Sequence, residues 1–262
     1  MLEDAALKCL MEDRLVPYQA VDCIAATSVL VLAPHPDDEI FGCGGTLVAH
    51  ARAGHHIRVI VLTDGAYGLQ GQAKTQHTAV RQNESRAAAA LLGIPAPQFW
   101  ELPDRGLEAG SALTQRLVQA IHESQADLVY ATSPREMHPD HWHLAVAALD
   151  AIKQCARPAL RLASYEVGIP LAPNVLCNIT PHNTLKSAAM QCFASQLQQQ
   201  RYEEHIQALN RYRSFTLGVD VTHAEAFYVA DSMALANGTA DPYETPDQRS
   251  HRLGLLYHRS TG

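Results

Sequence analysis

"VLVLAPHPDDEIFGCGGTL", Val29 to Leu47, opens on an unbroken apolar run and then sets His35, Pro36, Asp37, Asp38 and Glu39 side by side. An apolar run bounded by turn formers reads as a strand buried on both faces. Three adjacent acids behind such a strand repel one another and need something to offset their charge. A divalent metal is the candidate: His35 and Asp38, spaced i, i+3, can converge on one centre while Asp37 projects differently. Helix capping would satisfy one acid and leave the others unexplained. The glycines that follow, Gly42-x-Gly44-Gly45, do not fit G-x-G-x-x-G. An acidic cluster also precedes them, where a pyrophosphate would be repelled, so a dinucleotide loop is discarded.

Outward from this stretch, apolar runs at 28–35, 56–65, 97–104, 126–134, 159–167 and 224–230 read as strands. The segments 43–54, 77–92, 110–124, 140–155, 180–196 and 197–215 read as helices. Strand–helix alternation predicts a Rossmann-like, three-layer α/β sandwich with a mostly parallel central sheet flanked by helices. Ligands of such sheets bind beyond the carboxyl ends of the strands, where His35, Asp64, Asp104, Ser133 and His138 fall. No linker divides the 262 residues, so one domain is expected over 1–262, its core at about 28–230 and residues 236–262 a loop or surface arm. The polar loop 66–79, with Gly65, Gly68 and Gly71 as hinges, is a candidate cover for the site.

Composition narrows the partners. A net charge of −7 without a basic stripe gives no reason to expect nucleic acid, and no apolar run approaches the ~20 residues of a membrane-spanning helix. Acids early in the N-terminal segment argue against a secretory signal, which predicts a cytoplasmic protein. The six scattered cysteines, Cys9, Cys23, Cys43, Cys155, Cys177 and Cys192, read as reduced thiols rather than a disulfide framework or a thiolate zinc site. Homo-oligomerisation is left open.

A catalytic zinc uses three protein ligands, and a second cluster offers the third: "SPREMHPDHWHLAVAALDA", with His138, Asp140, His141 and His143 at a helix start. Two strand ends thus carry an H-P-D-[DH] tetrapeptide. Spacing leaves open whether His138 or His141 is the ligand. His143, about 200° from His141 around a helix, faces away.

"APHPDDEIFGCGGTL" together with "MHPDHWH" resembles the PIG-L/LmbE-like family of zinc-dependent N-deacetylases. "RQNESRAAAALLGI" (81–94) is similar to the family's Arg-x-x-Glu helix, and "ELPDRGL" (101–107) to its Pro-Asp-Gly-type loop. "SYEVGIPLAPNVLCNITPHNTLKSAAMQCFASQ" (164–196) is similar to a later Tyr-Glu, Asn and Lys-to-Ser-Gln segment. Two positions depart: Arg105 stands where the family often has Gly, and Asn178 where it often has an acid. The resemblance implies that His35, Asp38 and His141 hold Zn2+, with another divalent transition metal such as Fe2+ as the alternative. It further implies Asp37 as general base, His138 steadying the oxyanion, Asp140 orienting His138, and Arg81 and Asp104 as substrate contacts. A salt bridge from Arg81 to Glu84 or Asp104 is the competing reading. Glu166 and Asn178 are expected to share the rim with Arg81 and Asp104. The implied activity is removal of an N-acetyl group from an N-acetylglucosamine-type sugar or glycoconjugate, releasing acetate. The alternatives are a metal-dependent amidase of a larger thiol or sugar conjugate and a non-catalytic sugar- or nucleotide-binding protein.

Overall fold

The structure is a computed structural model that describes residues 18–243. Its strands are β1 (Gln19–Val21), β2 (Ser28–Ala33), β3 (His56–Thr63), β4 (Gln98–Leu102), β5 (Leu128–Thr132), β6 (Arg161–Tyr165), β7 (Val175–Asn178) and β8 (Ala224–Asp231). They form one sheet in the order β1-β7-β8-β6-β5-β2-β3-β4. Among the described residues, β8 is the one strand that runs antiparallel to its neighbours, β6 and β7. The sheet is therefore mixed and mostly parallel.

Alternation along the central strands shows why both faces need cover. In β2, Val29 and Val31 enter one apolar cluster, and Leu30 and Leu32 enter the other. β5 repeats the pattern with Leu128 and Tyr130 against Val129 and Ala131. Period-two side chains that are apolar on both faces cannot sit at a solvated surface. Helices α1 (Asp38–Arg52), α2 (Gly71–Leu92) and α5 (Asn183–Met190) cover the first face. Helices α3 (Ser111–Ser124) and α4 (Pro139–Cys155) cover the second, joined by the short α8 (Ser232–Ala236), which packs against α4. The short α6 (Ala194–Leu197) and the longer α7 (Tyr202–Arg213) complete the set.

Several boundaries differ from the sequence reading. Strands β1 and β7 were not expected, because three and four residues are too few to show a period. Helix α1 begins at Asp38 rather than 43, and α2 at Gly71 rather than 77, so most of the loop 66–79 is helical. The segment 197–215 is interrupted between the end of α6 at Leu197 and the start of α7 at Tyr202. Of the expected C-terminal arm, 244–262 lie outside the described residues, as does the segment 253–257.

Helix α1 is kinked at Cys43, whose φ and ψ of −141° and 17° interrupt the helix. The freed groups find partners in a buried ion pair. Glu225 accepts the N–H groups of Gly45 (2.9 Å) and Thr46 (2.8 Å), while Lys186 Nζ donates to Phe41 O (2.8 Å), Asn210 Oδ1 (2.8 Å) and Glu225 Oε1 (2.7 Å). Both charged side chains are fully buried. The glycines around the kink serve close packing: a Cβ at Gly42 would fall 2.3 Å from the Tyr165 ring, and one at Gly45 2.7 Å from Ile179. The kink and these contacts account for "FGCGG" without a nucleotide.

Among the described residues, no helix is long and apolar enough to cross a membrane. The kink generates a test of stability. Lys186→Met strands a buried carboxylate and a helix carbonyl, and is expected to cost about 3–5 kcal/mol in urea denaturation. A change within experimental error would show that the pair does not hold the kink.

Candidate metal centre

The chain runs β2, β3, β4 in one direction across the sheet, then returns to place β5 on the other flank of β2. That reversal is a topological switch point, where the loops after two adjacent parallel strands part and leave a crevice. "HPDD" follows β2 and "HPDH" follows β5, so the two tetrapeptides face each other across it. They line a cleft of about 550 Å³ together with Arg81, Asp104, Phe41 and Tyr202.

Three donor atoms form a compact triangle. Asp38 Oδ2 lies 3.1 Å from His35 Nδ1 and 3.1 Å from His141 Nε2, and the two ring nitrogens are 3.3 Å apart. Two ligands at ~2.0 Å from an ion, subtending a tetrahedral angle, are about 3.3 Å apart. The triangle therefore fits one face of a tetrahedral site, with a fourth position toward the cleft. All three residues are buried. Burial disfavours the carboxylate of Asp38, yet the flanking His141 and His35 hold it far below its usual range. Burial lowers the His141 imidazole, but Asp38 and Glu136 outweigh it and raise the ring to about 9. Two basic rings converging on one carboxylate make a site in which a cation can take the place of protons.

The far nitrogens show how the candidate ligands are steered. His35 Nε2 lies 3.1 Å from Asp140 Oδ2 and 3.4 Å from Asp104 Oδ1. Asp140 also accepts the N–H groups of Arg105 (2.7 Å) and Leu107 (3.1 Å), which fixes it against the 103–107 loop. Its carboxylate thus orients His35, not His138 as the sequence reading held. The link to His138 runs the other way: the Asp140 N–H donates to His138 Nδ1 at 3.2 Å, which caps α4. Among the described residues His141 Nδ1 has no hydrogen-bond partner, and Glu136 Oε2 lies 3.6 Å from it. Glu136 is itself held by the N–H groups of Val167, Gly168 and Ile169.

Asp37 stands apart from the triangle. Its φ of 146° is a conformation that costs a non-glycine residue about 1–3 kcal/mol, so the surroundings must over-determine it. Glu39 Oε2 accepts its N–H at 3.0 Å, Ile40 and Phe41 donate to its carbonyl, and Arg81 donates to its carboxylate at 2.9 Å. Burial pushes the Asp37 carboxyl up, Arg81 opposes this, and the result is about 7. Glu39 lies fully buried beneath, accepting also from Ser85, and burial takes it to about 7.

Arg81 binds Asp37 and the carbonyls of Gly65 and Pro36 rather than Glu84 or Asp104; Glu84 instead accepts from the N–H and hydroxyl of Ser195. Of the four expected rim residues, Arg81 and Asp104 line the cleft, whereas Glu166 pairs with Arg213 and Asn178 with Asp22. An acid at 178 would face Asp22, which accounts for the asparagine. Arg105 has φ 60°, the left-handed region that favours glycine, and its guanidinium lies 4.4 Å from the Tyr67 ring centre. His143 accepts the Ala109 N–H and points away from the cleft. Glu39, Ser85 and Glu136 were missed as positioning groups. Glu39 stood in the quoted motif, but nothing in the sequence marks which partner a buried acid takes.

Residues 30–152 match the PIG-L family, described as GlcNAc-PI de-N-acetylase. Diacetylchitobiose deacetylase of Thermococcus kodakarensis is 27% identical over 146 residues, 54% of this chain and 55% of that protein, so the chain spans about half its length. A probable N-acetyl-alpha-D-glucosaminyl L-malate deacetylase 2 of Bacillus anthracis is 28% identical over 185 residues, 64% of this chain and 80% of that protein. N,N'-diacetylchitobiose deacetylase from Pyrococcus horikoshii has a similar fold, with a TM-score of 0.70 at 23% identity over 89% of this chain and 94% of that one. So does the 4-carboxy-2-hydroxymuconate hydratase of Pseudomonas putida KT2440, with a TM-score of 0.68 at 21% identity over 81% of this chain and 96% of that one.

Glu39 supplies the test of the geometry. Glu39→Ala leaves the Asp37 N–H and the Ser85 hydroxyl without an acceptor, at about 1–3 kcal/mol for each buried group. Thermal melts should show that loss, and a crystal structure should show Asp37 relaxed to negative φ. An Asp37 unmoved in φ would mean that Glu39 does not hold it.

Proposed function

We propose that the PIG-L family domain of residues 30–152 anchors a zinc-dependent hydrolase that removes the acetyl group from an N-acetylglucosamine-type sugar and releases acetate. The observation that carries this reading is the donor triangle of His35, Asp38 and His141 with an unligated Asp37 carboxylate beside it. The relatives named above as deacetylases support the same substrate class.

A divalent cation held by His35, Asp38 and His141 would polarise an amide carbonyl and acidify a water. Hydrolysis of an acetamide then needs a base for the attacking water and an acid for a poor leaving group. Asp37, pushed by burial to about 7, suits both in turn: it takes the water's proton and delivers it to the departing amine nitrogen. Arg81 holds that carboxylate in place throughout. His138, with Nδ1 engaged by the Asp140 N–H, carries its proton on Nε2 when neutral and can donate there to the developing oxyanion. Burial and the neighbouring His35 and His141 lower His138, which favours that neutral form. Asp140 steadies His35 by accepting at its far nitrogen. Asp104 and Arg81 border the cleft where sugar hydroxyls would lie, and the Tyr202 ring offers a face for an apolar sugar surface.

The experiment is acetate release from a panel of N-acetyl sugars, including N,N'-diacetylchitobiose, with thiol conjugates alongside. Release is expected from the sugars, to be abolished by a chelator and restored by zinc. Asp37→Asn should keep its metal and lose about 10²–10⁴-fold in kcat. His138→Ala should lose about 10²–10³-fold. His141→Ala should lose the metal itself; unchanged metal content would make His138 the ligand instead. Chelator-resistant turnover, or near-full activity in Asp37→Asn, would overturn the mechanism.

A further inference from the structure

At the other end of α1, on the order of 18 Å along the helix from Asp38, a second set of donor groups converges. His50, fully buried, points Nδ1 at two neighbours: His55 Nδ1 at 2.7 Å and Cys23 Sγ at 3.6 Å. Its other nitrogen, Nε2, lies 2.8 Å from the hydroxyl of Tyr130, itself fully buried in β5. The donor atoms of Cys23, His50 and His55 all lie within 4.8 Å of one another. Cys23 and His55 are partly exposed, so the cluster opens to solvent on one side.

We propose that Cys23, His50 and His55 form a second metal site, distinct from the cleft, that takes a zinc-class divalent ion. One thiolate and two imidazoles are a donor set suited to zinc, and the solvent-facing side leaves a fourth position for water. A sulfur at ~2.3 Å and a nitrogen at ~2.0 Å from a tetrahedral ion are about 3.5 Å apart, which the Cys23–His50 separation already matches. The two imidazole nitrogens must part by about 0.6 Å to reach the tetrahedral spacing, a small ring rotation for the partly exposed His55. Tyr130 fixes the His50 ring from behind, the position that hydroxyls, carbonyls and carboxylates take around ligating histidines.

Protons balance simply. The neutral pair shares one proton between the two Nδ1 atoms; on loading, it moves to His50 Nε2, where the Tyr130 oxygen accepts it. One proton leaves for solvent, from Cys23 Sγ. A thiol binds such an ion only as the thiolate, so its deprotonation falls to the bound ion. The ion would join the segment before β2 to the turn between α1 and β3, two stretches that reach the sheet from different directions.

The site stands independently of the deacetylase reading, and one measurement separates the two. The metal-free full chain is titrated with Co2+ while thiolate-to-cobalt charge transfer in the near ultraviolet is recorded, and zinc content is measured after dialysis. The wild type should bind two ions per chain and show the charge-transfer band. Cys23→Ser and His55→Ala should each bind one and lose the band, while His141→Ala should bind one and keep it. If one variant fails to fold, the other still decides. A band that survives in Cys23→Ser, or a wild type that binds one ion and loses it only in His141→Ala, would overturn the second site. A wild type that binds one ion and loses it in Cys23→Ser but not in His141→Ala would instead overturn the cleft's metal.

Discussion

Three carboxylates in a row at the mouth of a buried strand cannot share one compensating charge, and the surrounding structure answers each separately. Asp37 is met by the Arg81 guanidinium, Asp38 by the rings of His35 and His141, and Glu39 by Ser85 and the Asp37 N–H. The partners come from three directions: α2 above the cleft, the β5–α4 junction across it, and the motif's own backbone. Each acid is thereby aimed at a different point. The strained φ of Asp37 is held by the same contacts, Glu39 on its N–H and Arg81 on its carboxylate.

The buried Lys186–Glu225 pair belongs to the same economy of charge and backbone. Without the kink at Cys43, α1 would continue straight from the HPDD motif. With it, the carbonyl of Phe41 is released toward Lys186 while the Phe41 side chain lines the cleft. The pair therefore couples the position of a cleft wall to α5 and β8, elements that carry none of the proposed ligands. A buried ion pair adds little net stability on its own. Its value here is geometric: it ends one helical segment and begins another at a fixed place.

Much of this was legible because the sequence writes its core and its chemistry in different alphabets. The alternation in "VLVLA" and "HIRVIVLT" betrays strands buried on two faces, and the paired H-P-D tetrapeptides mark where the strands end. What could not be read was direction. Asp140 follows His138 by two residues, yet its carboxylate serves His35, 105 positions away, because side chains at a helix start diverge by about 100° per residue. Short strands such as β1, at the sheet's edge, and β7 beside it lack the length to show a period. Cys23 read as one of six scattered thiols; the turn from α1 into β3 sets His55 beside His50, and the segment before β2 brings Cys23 to them.

A fold shared with a hydratase does not by itself choose between adding water across a double bond and breaking an amide with it. Both reactions need water at an electrophilic carbon, and a cation beside a base can serve either. The difference lies in the second half of the reaction. Amide hydrolysis must return a proton to a nitrogen that otherwise leaves as a strongly basic anion. The group that does so has to hold a proton near neutrality and reach past the ion. A carboxylate bound tightly to an arginine at the surface would be too weak a base and too strong an acid. Asp37 is paired with Arg81 but also buried and pressed by Asp38, and these opposed influences leave it at about 7. Under the proposed reading, that balance is what would let Asp37 serve both halves of an amide hydrolysis.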